Sequence, residues 1–339
     1  MMLLKLHTFD LILSSPFRIA HGARTVQPTL VVELISDGLS GYGEATATAH
    51  YGKKVEAMVE TLDNLRSVIE QETIDTPEAF WGRMYPYLKH HPFELCALDV
   101  AAHDLFARKK NLPLYQQWGL NPADAPLTNY TIGIGPIEEM VAKIEAFPWP
   151  VYKIKLGTDY DLEIIQALRQ KTKATFRVDA NTAWTAAQTV ELAPKFKELG
   201  VEFIEQPLAP DDWEGMQAVY KASVLPVIAD ESCQLEPDVD KCVGHFHGIN
   251  IKLMKCGGLT PARRMITRAR TLGLEVMVGC MTESTIGISA IAHLAPLLDY
   301  VDMDGALLLK EDIATGVTMH NGRAVFPDRP GTGAILGNT

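Results

Sequence analysis

Residues 151–181 read VYKIKLGTDYDLEIIQALRQKTKATFRVDAN: a strand-like run ending on Lys153 and Lys155, a helix-like run, and a second strand-like run ending on Asp179 and Asn181. The unit repeats downstream. EFIEQP ends on Glu205, VIADES on Asp230, INIKLM on Lys252, and YVDMDG on Asp302 and Asp304. From Lys155 the steps to Asp179, Glu205, Asp230 and Lys252 are 24, 26, 25 and 22 residues. That length holds one strand, one helix and two loops, so successive strands are expected to be parallel and joined by crossover helices. Strand candidates start near 151, 175, 201, 226, 249, 275 and 300, and NYTIGI (129–134) makes eight. A (β/α)8 barrel collects the C-terminal ends of its strands at one mouth. Three carboxylates and at least two lysines would meet there. The competing doubly wound sheet requires a Gly-rich phosphate loop after an early strand. Gly133 and Gly135 in TIGIGP lack the third glycine of that fingerprint.

Upstream, LKLHTFDLIL, TLVVELIS and GYGEATA alternate and are separated by turn residues, which predicts a small antiparallel sheet over residues 1–48. From about 53 to 118, KVEAMVETLDNLRSVIE and PFELCALDVAAHDLFARKK carry apolar residues at helical spacing. The expected division is an α+β domain over 1–125, a barrel over 126–305, and a tail, 306–339, that packs back onto the first domain. The 339 residues can bury a substantial core. A net charge of −11 argues against nucleic acid or an anionic membrane surface as partner. No long apolar run suggests a signal or spanning segment, and a cytoplasmic protein is expected. Cys96, Cys233, Cys242, Cys256 and Cys280 are scattered without C-x-x-C spacing and are read as reduced thiols.

Side chains alternate along a strand, so Lys153 and Lys155 share a face and Tyr152 and Ile154 take the other. Two adjacent ammoniums repel, which is expected to depress at least one pKa and supply a neutral amine near pH 7. Solvated lysines on an edge strand are the alternative, and it sits poorly with a central parallel strand. Asp179, Glu205 and Asp230 come from consecutive strands; three unpaired carboxylates in one pocket call for a hard divalent cation, Mg²⁺ by first choice. Singly, each acid also reads as a helix cap or a partner of a lysine. Lys252 lies beyond the acids from Lys155, so a substrate carboxylate on the metal would sit between two amines. That arrangement suits removal of a proton α to a carboxylate, with return to the opposite face giving inversion. Lys255 does not share the strand face of Lys252 and is the weaker candidate.

The combination of K-x-K in YKIKLG with D-A-N, E-Q-P, A-D-E-S and N-I-K-L-M-K-C-G-G resembles the enolase superfamily, within its muconate lactonizing enzyme subgroup, over the whole chain. The resemblance implies a (β/α)7β barrel under an N-terminal capping domain, one Mg²⁺ per subunit on Asp179, Glu205 and Asp230, and Lys155 and Lys252 as acid/base pair. It also implies that Lys153 holds the substrate carboxylate and tunes Lys155. A homo-oligomer is expected on the same ground. The mandelate racemase branch places a His/Asp dyad where this chain has Lys252 and CMTES.

Asp302 and Asp304 share a face and would suit an ammonium group. This D-x-D resembles the dipeptide epimerases, in which the pair binds the free α-amino group. GCMTESTIG also resembles those enzymes, which adds Met281 and Thr282 to the substrate contacts. The alternative reading has one aspartate capping the next turn and the other pairing with Lys310. Side-chain preference is expected from loops at 16–26 and about 46–54. The first offers Arg18 and Arg24, and Arg24 resembles the arginine that meets a Glu side chain in L-Ala-D/L-Glu epimerases; a solubilising arginine is the alternative, and His21 nearby suits a less acidic pocket. The expected reaction is epimerisation of L-Ala-Xaa dipeptides, best L-Ala-D/L-Glu, with apolar Xaa open and a role in turnover of murein-derived peptides. An o-succinylbenzoate synthase or cycloisomerase on the same framework is the alternative enzyme, and a non-catalytic binding barrel the alternative class. His245, His247 and Trp184 are read as structural. Glu283 lies just past strand seven, at the edge of the expected pocket, with no role assigned.

Overall fold

Alternation in the first 46 residues yields the strands it implies. The computed structural model describes residues 2–19 and 22–337, so His21 lies outside the described residues. Strands β1 (Leu3–Ile19), β2 (Gly22–Ser36) and β3 (Leu39–Thr46) form an antiparallel sheet in chain order. Leu4 pairs with Leu34 and Leu6 with Val32, so the period-two apolar set turns one face inward. Within the stretch 16–26, expected as a loop, residues 16–19 belong to β1 and residues 22–26 to β2. Register slips between Ile12 and Phe17 around Ser14, Ser15 and Pro16 and then resumes at Phe17–Arg24. Pro16 has no N–H for the ladder, which explains why the irregularity falls there rather than ending the strand.

Five helices follow: α1 (Val55–Asn64), α2 (Arg66–Gln71), α3 (Pro77–Leu88), α4 (Pro92–Lys109) and α5 (Leu114–Gln117). Helix α4 is buried on nearly every face because the sheet covers one side and the barrel the other. Its approach to β3 depends on Gly41 and Gly43. A Cβ at Gly43 would stand 2.0 Å from Ala97 O, and one at Gly41 2.3 Å from Ala101 O.

The repeat unit delivers eight parallel strands: β4 (Tyr130–Ile132), β5 (Val151–Lys155), β6 (Thr175–Asp179), β7 (Val201–Glu205), β8 (Val227–Ala229), β9 (Gly248–Ile251), β10 (Glu275–Gly279) and β11 (Tyr300–Asp302). Neighbours in the sheet are neighbours in sequence, as right-handed βαβ crossovers require. Closure between β11 and β4 runs through the Thr128–Val301 bridge and the bond from Met303 N to Thr128 Oγ1, 3.0 Å. The outer layer is α6 (Ile137–Ala146), α7 (Asp161–Arg169), α8 (Ala186–Glu198), α9 (Trp213–Ala222), α10 (Asp238–Lys241), α11 (Leu253–Cys256), α12 (Leu259–Thr271) and α13 (Thr285–Leu294).

The segment after residue 305 bonds to the N-terminal part of the chain. Lys310 N donates to Ile12 O at 2.8 Å, Gly331 N to Leu112 O at 2.9 Å, and Thr332 N to Asp104 Oδ1 at 2.7 Å. Among the described residues no helix is long and apolar enough to cross a membrane. Cys96, Cys233, Cys242 and Cys256 are buried free thiols and Cys280 is half-buried.

Candidate active site

Register sets the level of each charged side chain. Lys155 pairs with Asp179 across β5–β6 and Asp179 with Glu205 across β6–β7, so three residues of the site share one rung. Asp230 and Lys252 stand one residue past the ends of β8 and β9. The carboxylate oxygens of Asp179, Glu205 and Asp230 come within 4.8 Å of one another, and all three residues are buried. Lys155 Nζ donates to Asp179 Oδ2 at 2.6 Å on one flank, and Lys252 Nζ to Asp230 Oδ2 at 2.7 Å on the other. Lys153 reaches the centre, with Nζ 2.8 Å from Glu205 Oε2, 3.1 Å from Asp179 Oδ2 and 3.0 Å from Asp302 Oδ2.

Burial opposes ionisation of Asp179, Glu205, Asp230, Lys153 and Lys252, and the neighbouring charges decide the outcome. At Asp179 the two lysines Lys155 and Lys153 overcome burial and hold the carboxyl well below the usual range. Lys252 and Lys255 do the same at Asp230. Glu205 lacks a dominant cation, and burial with the charge of Asp179 pushes it up to about 7. Of the two adjacent lysines, Lys153 is not the neutral amine. Burial does push it down, but Asp302, Glu205 and Asp179 outweigh that and hold it charged, well above the usual lysine range. Lys252 is likewise raised, with Asp230 overcoming burial.

All three acids offer only oxygen, and Glu205 Oε2 is buried with Lys153 Nζ 2.8 Å away. An oxygen-only, buried, converging donor set fits a hard divalent cation. Lys255, the weaker acid/base candidate, lies beside the cluster and off the cavity. The chain leaves β9 and enters α11 directly after Lys252, so strand parity no longer applies, and Lys255 Nζ bonds to Asp230 Oδ1.

The second acidic pair is also inside. Asp302 Oδ1 accepts from Asn129 Nδ2 at 2.8 Å and Asp302 Oδ2 from Lys153, whereas Asp304 accepts from the backbone N and Oγ1 of Thr131. Burial at Asp302 is overcome by Lys153, which lowers it; Asp304 has no cation, and burial with the charge of Asp302 raises it well above the usual range. The alternative pairing with Lys310 does not occur: Lys153 takes that place. Asn129 and Thr131 were not singled out in the sequence; their signal is their place on and just before β4, beside β11 in a closed barrel.

An open-mouthed cavity joins these groups. Lys153, Lys155, Lys252, Met281, Thr282, Asp302 and Asp304 line it from the barrel, and Phe17, Arg24, Thr48, His50 and Tyr51 from the N-terminal sheet and the turn after it. Both segments expected to set side-chain preference therefore reach the mouth. Arg24 is lowered by burial and donates to Gln27 Oε1, while Gln27 Nε2 is held by the carbonyls of Pro28 and Ala47 at 2.9 and 2.7 Å. Arg18 is exposed, and its carbonyl accepts from Ile134 N at 3.0 Å. That contact explains the TIGIGP glycine: a Cβ at Gly133 would stand 2.8 Å from Arg18 O.

Glu283 turns away from the cavity. Its Oε1 accepts from Met281 N at 2.8 Å, and burial with the charge of Glu44 raises it well above the usual range. Glu44 on β3 was not foreseen. It accepts from Ser284 N, Ser284 Oγ and Gly287 N at 3.1, 2.6 and 3.1 Å, filling the N-terminus of α13 from outside the barrel. Trp184 Nε1 donates to Asp161 Oδ2 at 2.8 Å, and His247 Nδ1 accepts from Val227 N at 3.1 Å, away from the mouth.

Comparison with known proteins agrees with this geometry. Residues 137–337 match the family described as enolase C-terminal domain-like, and residues 5–119 the mandelate racemase/muconate lactonizing enzyme N-terminal domain. An L-Ala-D/L-amino acid epimerase of Flavobacterium johnsoniae is 55% identical over 335 residues, 99% of this chain and 100% of that one. A substrate-liganded L-Ala-D/L-Glu epimerase structure from Bacillus subtilis superposes with a TM-score of 0.93 at 29% identity, over 99% of each chain. A dipeptide epimerase of Methylococcus capsulatus, complexed with Mg and L-Arg-D-Lys, gives 0.91 at 34% identity over 98% of this chain and 99% of that one. With both halves matched and the whole length covered, the chain belongs to the enolase superfamily, in its mandelate racemase/muconate lactonizing enzyme family.

Proposed function

We propose that this chain is a Mg²⁺-dependent dipeptide epimerase that inverts the α-carbon of the second residue of L-Ala-Xaa dipeptides, with L-Ala-D/L-Glu as its best substrate. One observation carries the reading: two lysines flank a three-carboxylate cluster, Lys155 on Asp179 and Lys252 on Asp230, in a cavity that also holds the Asp302–Asp304 pair. Asp302 and Asp304 take the substrate's ammonium, which neutralises the acidic pair and sets which way the dipeptide lies. Lys153 supports the substrate carboxylate. Lys155 and Lys252 then face the α-carbon from opposite sides; one removes its proton and the other returns a proton to the opposite face. Asp179, Glu205 and Asp230 would hold the Mg²⁺, one per subunit, and the bound ion supplies positive charge that stabilises the carboxylate as its α-proton leaves. Met281 and Thr282 bound the dipeptide on the β10 side.

Arg24 supports the acidic side chain. It is a half-buried guanidinium whose hydrogen bond runs to a neutral amide, so a carboxylate would complete its fork. Broader L-Ala-Xaa use is supported by the Flavobacterium relative's activity and by the apolar groove of Ala23, Val26, Pro28, Ala47 and Ala49 that continues from Arg24, Thr48 and His50. An o-succinylbenzoate synthase or cycloisomerase is disfavoured, because neither substrate brings a cation for Asp302 and Asp304. The reading extends to a cytoplasmic homo-oligomer acting on murein-derived peptides, with no nucleic-acid partner, in keeping with the net charge of −11.

The test is proton NMR of L-Ala-L-Glu in D₂O with enzyme and Mg²⁺. Loss of the Glu α-proton signal with growth of the L,D diastereomer is expected. An unchanged spectrum across L-Ala-Glu, L-Ala-Met and L-Ala-Leu would overturn the epimerase reading.

A further inference from the structure

Lys255 touches the carboxylate cluster and has no part in the proposed chemistry. Its side chain is fully buried, whereas those of Lys155 and Lys252 keep 11% and 12% of their exposure and line the cavity; Lys255 does not. A group with no face on the cavity has no path to a substrate proton. What it does touch is informative. On one side its Nζ bonds to Asp230 Oδ1, while Lys252 holds the other oxygen, Oδ2. On the other side the same Nζ stands 5.4 Å from the centroid of the Tyr51 ring.

Tyr51 belongs to the turn after β3 that lines the cavity. Thr48 and Lys53 close that turn with bonds of 3.0 and 2.9 Å, and Tyr51 rests on His50 and Phe93 with ring centroids 4.6 and 5.9 Å away. Lys255 thus bridges a carboxylate in the barrel floor and an aromatic face in the turn that covers the mouth. A buried ammonium over an aromatic face is a directional contact that a neutral side chain does not reproduce. Fixing one oxygen of a ligating carboxylate leaves the other correctly aimed, the part played by outer groups at metal centres. It also gives Asp230 a permanent counter-charge, which frees Lys252 to leave Oδ2 and serve the substrate.

We propose that Lys255 is a positioning residue, not a proton-transfer residue: it clamps Asp230 Oδ1 and, through the Tyr51 ring, ties the turn over the cavity to the metal-ligand cluster. The inference rests on the reading of Asp230 as a Mg²⁺ ligand. The test is calorimetric titration of Mg²⁺ into the metal-free full-length protein, wild type against Lys255→Met, Tyr51→Leu, Tyr51→Phe and Asp230→Asn. Lys255→Met is expected to weaken Mg²⁺ at least about tenfold. Tyr51→Leu is expected to weaken Mg²⁺ measurably and to raise the dipeptide KM, and Tyr51→Phe, which keeps the ring and loses only the hydroxyl beside Lys255, to lie closer to wild type than Tyr51→Leu. In D₂O, residual α-proton exchange in Lys255→Met should fall equally for the L,L and L,D dipeptides, since no face loses its own acid or base.

A Lys255→Met protein that binds Mg²⁺ as wild type does, while Asp230→Asn has lost it, overturns the inference alone. An Asp230→Asn protein with unchanged Mg²⁺ affinity overturns the ligand reading and the inference with it. Where Lys255→Met does not fold, Tyr51→Leu decides: unchanged Mg²⁺ affinity there breaks the proposed link. Loss of exchange with one diastereomer only in Lys255→Met would make Lys255 a proton-transfer group.

Discussion

Lys155 Nζ lies 2.6 Å from Asp179 Oδ2, and the two residues face each other on one rung of β5 and β6. The same lysine is therefore both the counter-charge of a proposed metal ligand and a wall of the cavity. Lys252 repeats the relationship with Asp230 at 2.7 Å on the far flank. The symmetry gives each face of a substrate one amine, and its consequences are measurable.

Asp302 and Asp304 select for a free amino terminus. Wild type is expected to prefer L-Ala-L-Glu strongly over its N-acetyl derivative. Asp302→Asn removes a charge-assisted contact of about 2 kcal/mol, so its KM for the free dipeptide should rise some tenfold or more and the preference should shrink. Steady-state kinetics on the two substrates checks this; equal discrimination in both proteins would count against the ammonium site.

Arg24→Met should lower kcat/KM for L-Ala-L-Glu by about ten- to a hundredfold, since a side-chain carboxylate loses its paired charge. Activity on L-Ala-L-Met should hold or rise. The ratio of the two specificity constants is the measurement, and an unchanged ratio would move the preference elsewhere in the turn over the mouth.

His293 is buried against Tyr115 and Phe326, and its Nδ1 accepts from Tyr115 N at 3.0 Å. Burial lowers it to about 4. The unfolded chain binds the proton first, so the contribution of neutral His293 is full above about pH 6.5 and is lost as pH falls toward 4. At pH 5 the loss is about 2 kcal/mol. Urea unfolding of wild type and His293→Asn at pH 7.5 and pH 5 should show the variant losing less stability by that amount; parallel losses would contradict it.

Gly43→Ala should destabilise by about 3 kcal/mol, the upper end for overpacking. Its Cβ would meet the Ala97 carbonyl, and neither β3 nor α4 has room to yield. Thermal unfolding checks this, and a Tm near that of wild type would show that the sheet and α4 can part.

Much of this was legible in the sequence because it is periodic. A 22-to-26-residue step fixes strand, helix and strand, and with them the rung shared by Lys155, Asp179 and Glu205. Legibility failed where the period changes or the contact is remote. The contact of Lys255 with Asp230 was not legible because the backbone passes from strand to helix between Ile251 and Leu253, where parity arguments lapse. Glu44 at the N-terminus of α13, and Asn129 beside Asp302, join residues 240 and 173 positions apart, and no local pattern marks them. The charge on Lys153 was not legible for a related reason. Its neighbour Lys155 is visible in the chain, but the acids that decide its ionisation arrive from β6, β7 and β11.

The central claim, one lysine to each face, is tested most directly by α-proton exchange in D₂O with Lys155→Ala and Lys252→Ala, each given L-Ala-L-Glu and L-Ala-D-Glu in turn. Both variants should lose epimerisation by at least about a thousandfold. Each should still exchange the α-proton of one diastereomer, and the two variants should retain opposite ones. Exchange of the same diastereomer in both variants, or full epimerisation in either, would contradict the account.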